Sequence, residues 1–273
     1  MRTHPAVSLH AAMGMAILCL FTACGKTDVP PHGSASFCQI EKVEGTDYIN
    51  SWTSNSTIEY NSAGNPVLRT RSDVATGNEN ERYRYDARNR LTDQITGYGR
   101  MEQGEDYWEW HRFKYQGNSD RPYMDSFYLV GIIGEHPIPR PGAPFLRMTV
   151  RFEYDAKGRI IKESSFDENG TQWNQATYEY NSQGNLERQI TVYNEHGTID
   201  TVYYPRYDNK INFLRTNKVW QFLTRDYSQN NTFPADSYNK YGLPLQFASA
   251  NRGTRKFFLD VEYTDLKITY KCK

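Results

Sequence analysis

Net charge, aliphatic residues and long apolar runs are all in short supply in this 273-residue sequence, and each shortage excludes something. Lys+Arg and Asp+Glu both total 32. The chain therefore lacks the basic surplus that displaces counterions from phosphates, which excludes nucleic acid as a partner. The same balance removes an electrostatic hold on anionic membranes. No apolar stretch reaches the ~20 residues of a membrane-spanning helix. Only 4 cysteines occur, none with metal-ligand company at zinc spacing, so no metal is expected. GxSxG and HExxH are missing. Gly97-Tyr98-Gly99 is a lone fragment with no helix after it, and Asp167-Glu168-Asn169-Gly170 lacks the other ligands of a calcium loop. No catalytic residue and no cofactor is expected.

What is present points to a β protein. Tyr reaches 21, Phe 13 and Trp 5, while mean hydropathy is −0.79. Disordered chains share low hydropathy but are poor in aromatics. Flat rings pack well on a pleated, half-buried surface. A chain this long buries roughly three-quarters of the surface it exposes when unfolded, so core size is no obstacle.

The N-terminus reads as an address. The apolar run Ala11–Leu20 fits a signal-peptide core. Leu20-Phe21-Thr22-Ala23-Cys24-Gly25 resembles the lipobox cleaved by the lipoprotein signal peptidase, with Phe21 in place of the usual aliphatic residue. This implies a signal peptide over 1–23, acylation of Cys24, and a polar, Pro- and Gly-containing tether over 24–36. The expected location is the cell envelope, lipid-anchored at the outer membrane, with the membrane as partner through the acyl chains. Cys19 leaves with the signal, so Cys38 and Cys272 remain. In an oxidising envelope they are expected to pair, the other reading being two buried thiols.

A repeat occupies the rest, residues 37–273. Tyr60-Asn61-Ser62-Ala63-Gly64, Tyr154-Asp155-Ala156-Lys157-Gly158, Phe166-Asp167-Glu168-Asn169-Gly170, Tyr180-Asn181-Ser182-Gln183-Gly184 and Tyr193-Asn194-Glu195-His196-Gly197 share one pattern: an aromatic, Asp or Asn, two free positions, Gly. Tyr238-Asn239-Lys240-Tyr241-Gly242 matches too, and Tyr85-Asp86-Ala87-Arg88-Asn89 puts Asn at the last place. Asp or Asn at the first corner accepts backbone N–H groups ahead of it, and Gly supplies the left-handed residue that closes the turn. Two places before the tyrosine stand Ile58, Tyr83, Phe113, Phe152, Tyr178 and Val261, separated from it by charged residues. Period-two alternation predicts an antiparallel sheet covered on one face, and argues against a transmembrane barrel with its apolar exterior.

Tyr154-Asp155-Ala156-Lys157-Gly158-Arg159-Ile160 and Tyr85-Asp86-Ala87-Arg88-Asn89-Arg90-Leu91 resemble the tyrosine–aspartate (YD) repeat of bacterial wall-associated and toxin-shell proteins. With the lipobox, the chain is similar to YD-repeat lipoproteins of the Bacteroidetes. The resemblance implies hairpins in a long curved sheet and no particular reaction.

Two interruptions are expected, near 120–147 and 209–234. The first contains the proline-dense His136–Pro144 segment, a lid or a ligand loop. In the second, Thr216 caps a short helix with Val219, Trp220, Leu223 and Tyr227 on one stripe. The resulting expectation is all-β: consecutive antiparallel hairpins in a large twisted sheet, barrel-like or half-open, with one short helix. The function expected is a non-catalytic binding or scaffold module that engages a glycan or an envelope protein. The alternative is an envelope hydrolase acting on glycans, with carboxylates brought together by the sheet. Candidate binding residues are Trp108, Trp110, His136 and Arg140.

Overall fold

The structure is a computed structural model that describes residues 37–47, 52–100, 108–130, 132–133, 136–137, 144–247, 256–259 and 261–273. Its strands are β1 (Cys38–Asp47), β2 (Thr53–Tyr60), β3 (Pro66–Arg71), β4 (Asn80–Tyr85), β5 (Leu91–Gly97), β6 (Glu109–Tyr115), β7 (Pro122–Leu129), β8 (Ile132–Ile133) and β9 (His136–Pro137). They continue as β10 (Phe145–Tyr154), β11 (Ile160–Asp167), β12 (Gln172–Tyr180), β13 (Leu186–Tyr193), β14 (Thr198–Tyr203), β15 (Ser237–Tyr238), β16 (Pro244–Phe247), β17 (Lys256–Phe258) and β18 (Val261–Cys272). One antiparallel sheet runs β14-β13-β12-β11-β10-β7-β6-β5-β4-β3-β2-β1-β18-β16-β15, with β17 beside β18. The two margins do not pair with each other, so the sheet is open. β7 pairs with both β6 and β10, so Pro122–Leu129 belongs to the sheet; the departure from the rhythm expected near 120–147 begins only after it.

The chain closes on itself by a different route. β1 pairs with β2 on one side and with the last strand, β18, on the other. Cys38 stands directly opposite Cys272 and the two are disulfide-bonded.

The turn chemistry is local and repeats. Oδ1 of Asn61 accepts the N–H of Ala63 and Asn65, each at 3.0 Å, and Asn181 does the same for Gln183 and Asn185. Gly64, Gly158, Gly170, Gly184 and Gly197 have φ of 82, 84, 82, 84 and 61°. Gly184 is buried, and a Cβ there would sit 3.1 Å from Cγ of Gln229. Gly184→Val should therefore cost about 1–2 kcal/mol from the left-handed backbone alone, whereas Gln183→Val on the exposed turn should leave the urea midpoint nearly unchanged. Equal midpoints for the two variants would contradict this turn geometry.

The repeat tyrosines do more than cover the core. Along one end of the sheet their hydroxyls donate to main-chain carbonyls of neighbouring strands, Tyr60 to Ile40 at 2.7 Å, Tyr85 to Pro66 at 2.7 Å, Tyr115 to Leu91 at 2.8 Å and Tyr154 to Pro122 at 2.7 Å, whereas Tyr238 donates to the Asp208 carboxylate at 2.8 Å. Tyr180 to Ile160, Tyr207 to Leu186 and Tyr270 to Pro244 continue the series. Apart from that of Ile40, which follows no hairpin turn, these carbonyls lie just past a turn, where a bulge interrupts the ladder, so the hydroxyl satisfies an acceptor the neighbouring strand leaves open. The series follows one end of the sheet. The Phe166 and Tyr193 copies fall at alternate hairpins and hence at the opposite end; Phe166 has no hydroxyl and Tyr193 is exposed.

One face of the sheet is covered by the segment 204–234. Asn212 caps a 3-10 turn, Phe213–Thr216, and Asn217 caps the helix α1 (Lys218–Thr224) by accepting the N–H of Val219 at 2.9 Å. The cap expected at Thr216 is thus one residue away, because Thr216 closes the preceding turn by donating to the Phe213 carbonyl at 2.7 Å. Val219 and Trp220 are buried as the stripe predicts, and Phe222, outside it, is buried too. Phe222 meets the rings of Phe113 and Phe152 edge-on at 5.0 and 5.4 Å, and Trp220 meets Tyr83 at 5.8 Å. Beyond the helix, Arg225 pairs with Glu163, which also accepts from the Tyr178 hydroxyl at 2.7 Å. This half-buried ion pair fixes the helix end to β11.

Candidate functional site

The tyrosine end of the sheet and the start of the covering segment enclose a cleft of about 930 Å³. Its walls come from three turns and from the caps of α1, the hairpin turn β2–β3 contributing Asn65. The hairpin turn β10–β11 contributes Lys157 and Arg159, the turn β12–β13 contributes Ser182 and Gln183, and the covering segment contributes Arg215, Lys218, Gln221 and Gln229. Gln39 of β1 and Lys273 complete the rim. Among the described residues lining it there is no Asp or Glu side chain.

Each wall residue is placed by the repeat or by its caps. Arg159 follows the turn glycine, and its guanidinium bonds Asp155 at 2.6–2.7 Å while lying 4.0 Å over the Tyr180 ring. Burial raises the Asp155 pKa, but hydrogen bonds from the Arg159 main chain and side chain outweigh it and hold the carboxyl below its ordinary value. Arg159 is thus already balanced, and the positive character of the cleft rests on its neighbours. Lys157 occupies an exposed free position of the turn. Lys218 opens α1, held there because Asn217 caps the helix and also donates to the Gly64 carbonyl at 3.0 Å. Arg215 is buried, donates to the Gln229 carbonyl at 3.2 Å, and has its pKa lowered by that burial. Gln229 Oε1 is buried without a hydrogen-bond partner. The arrangement presents cations and amides to a half-open cleft that, among the described residues, is lined by no Asp or Glu side chain, which suits an anionic, hydroxyl-bearing ligand.

The two tryptophans singled out from sequence lie elsewhere. Trp110 is half-buried against Leu68 and Ile95, its Nε1 donates to Asp93 at 2.7 Å, and Arg112 covers its ring at 4.7 Å. Trp108 is half-buried and sits edge-on to Tyr98 at 5.2 Å. The two tryptophans therefore form no open stacking shelf. His136 pairs through its backbone with Ile133 in the small β8–β9 ladder, and its side chain lies outside the described residues, as do Arg140 and Cys24. His111, across the strand from the tryptophans, bonds Asp125 at 2.7 Å and stacks on Phe127 at 4.5 Å. Trp108, Trp110 and His111 do not line the cleft. The cleft residues carried no spacing signal, since Lys157 and Lys218 are far apart in sequence.

No family model matches the chain, and no curated protein matches it. Among solved structures, a porin-like protein from Bacteroides uniformis aligns over 85% of this chain and 96% of that one, at 12% identity and a TM-score of 0.46. The Photorhabdus luminescens Tc holotoxin pore aligns over 74% of this chain but only 12% of that chain, at 13% identity and a TM-score of 0.20.

Proposed function

We propose that this protein is a lipid-anchored, non-catalytic binding module of the cell envelope whose ligand is an acidic glycan held in the cleft at the tyrosine end. The observation that carries the reading is the lining: Lys157, Arg215 and Lys218 with several amides and, among the described residues, no Asp or Glu side chain. Cations recognise the acid group, and the amides of Gln39, Gln183, Gln221 and Gln229 match the mixed donors and acceptors of sugar hydroxyls. The volume is at the upper end of the ~300–1,000 Å³ typical of small-molecule sites. Most glycan hydrolases use two Asp or Glu side chains about 5–9 Å apart across the bond they cut, and among the described residues the lining has no Asp or Glu side chain. The lipobox at Cys24 supports the anchor.

Titration calorimetry with neutral, carboxylated and phosphorylated oligosaccharides tests the reading. Acidic ligands should bind more tightly than neutral ones and weaken as salt rises. The double variant Lys157→Glu/Lys218→Glu should lose roughly 100-fold in affinity, about 2.7 kcal/mol, with an unchanged melting curve because neither residue packs in the core. Retention of affinity by that variant, or equal binding of neutral glycans, would overturn the assignment.

A further inference from the structure

The two margins of the sheet are treated differently. One is blunted by short strands, the two-residue β15 and the three-residue β17. At the other, β14 is six residues long and exposes Ile199, Val202 and Tyr203 at 65, 43 and 64%. Its sequence, Thr198-Ile199-Asp200-Thr201-Val202-Tyr203, contains no Lys or Pro and a single charge, so the usual protections of a free edge are mostly missing. Among the described residues, no strand pairs with its outer side.

We propose that β14 pairs antiparallel with β14 of a second copy of this chain, in one register. The hydrogen-bond parity limits the choices. Tyr204 N–H donates to the Glu187 carbonyl at 2.9 Å, and antiparallel bonding alternates along the ladder. Residues 198, 200 and 202 therefore bond inward to β13, and the main-chain groups of Ile199, Thr201 and Tyr203 point outward. A two-fold pairing must match outward residues with outward residues, so its axis passes through a residue and not between two. Axes through Asp200 and Thr201 give the greatest overlap. The first sets two Asp200 carboxylates face to face at a close pair, which like charges disfavour. The second faces Thr201 with Thr201 and places Ile199 across from Tyr203 of the other copy, a β-branched–aromatic pair. The charge thus selects the Thr201 register, and the sheet continues from one molecule into the next.

The test uses the full chain in sedimentation velocity over a concentration series, with oxidative cross-linking of single-cysteine substitutions at the edge. Wild type should show a concentration-dependent dimer. Thr201→Cys should form a linked dimer, because a hydrogen-bonded antiparallel pair holds its Cα atoms ~5.5 Å apart, within disulfide reach; Asp200→Cys should not. Thr201→Pro removes an outward donor without touching a bond to β13 and should weaken the dimer roughly tenfold or more, with an unchanged far-ultraviolet spectrum. A monomer at every concentration with no cross-link at either position overturns the proposal. A dimer that cross-links through Asp200→Cys, or one indifferent to Thr201→Pro, overturns the register and the edge respectively.

Discussion

Raising the pH above 10 is expected to unfold this protein cooperatively. Tyr60, Tyr85, Tyr154, Tyr178, Tyr180 and Tyr270 all have pKa values pushed above the ordinary phenol range, first of all by burial. For Tyr178 the Glu163 carboxylate adds to the effect. Their folded-state pKa exceeds the unfolded value of ~10, so the stabilisation is fully present below pH 10 and is lost as pH rises past it. Each such group removes about 1.4 kcal/mol per pH unit, and six together remove on the order of 8 kcal/mol per unit, comparable with the whole stability of a typical domain. The share of the 295 nm absorbance contributed by these six tyrosines should therefore rise together with the loss of far-ultraviolet circular dichroism, separately from that of exposed tyrosines such as Tyr203. Removing a single hydroxyl by Tyr85→Phe should cost about 1–3 kcal/mol at neutral pH, because the Pro66 carbonyl loses its donor. Complete ionisation of all tyrosines near pH 10 while the dichroism holds would refute the buried ladder.

Loss of the Cys38–Cys272 bond should be the largest single-site effect. The bridge spans 234 residues, and the chain-entropy model assigns closure of so long a loop about 5 kcal/mol. The double variant Cys38→Ser/Cys272→Ser should still fold, since β1 keeps its ladders to β2 and β18, but with a much lower urea midpoint. Reductant should lower the wild-type midpoint to the same value and leave the variant unmoved. Free thiols in native, unreduced protein, with a midpoint insensitive to reductant, would count against the bond.

How much could be read beforehand depended on the range of the interaction. The turns were legible because their chemistry closes within five residues: Asp155 accepts the Arg159 N–H at 2.9 Å and Gly158 donates to the Asp155 carbonyl at 3.0 Å. The inward side chains Ile58, Tyr83, Phe113, Phe152 and Tyr178 were legible from alternation, and all are buried. The cap of α1 was missed by one residue because a 3-10 turn precedes it, and nothing in the local pattern separates Thr216 from Asn217 as first cap. Phe222 was missed because a seven-residue helix packed against several strands is buried around more than one stripe.

Trp108 and Trp110 show the other limit. Alternation says which residues share a face of a strand, but whether that face is open depends on Leu68 and Ile95, contributed by other strands. The cleft is the same case on a larger scale. Lys157 and Arg159 look like turn residues, Arg215 and Lys218 look like helix-start residues, and no periodicity links the two groups.

The sequence by itself determined the hairpin: where each turn falls, which residue takes the left-handed backbone, and which side chains point inward, since these follow from steric and hydrogen-bonding preferences within a few residues. Only the tertiary structure decided which end of the sheet each tyrosine serves, which carbonyl its hydroxyl satisfies, and which cations share one cleft. Those depend on the order of strands and on where 204–234 crosses them, and such long-range placement is set by the summed packing of Trp220, Phe222 and their partners, which no local pattern encodes.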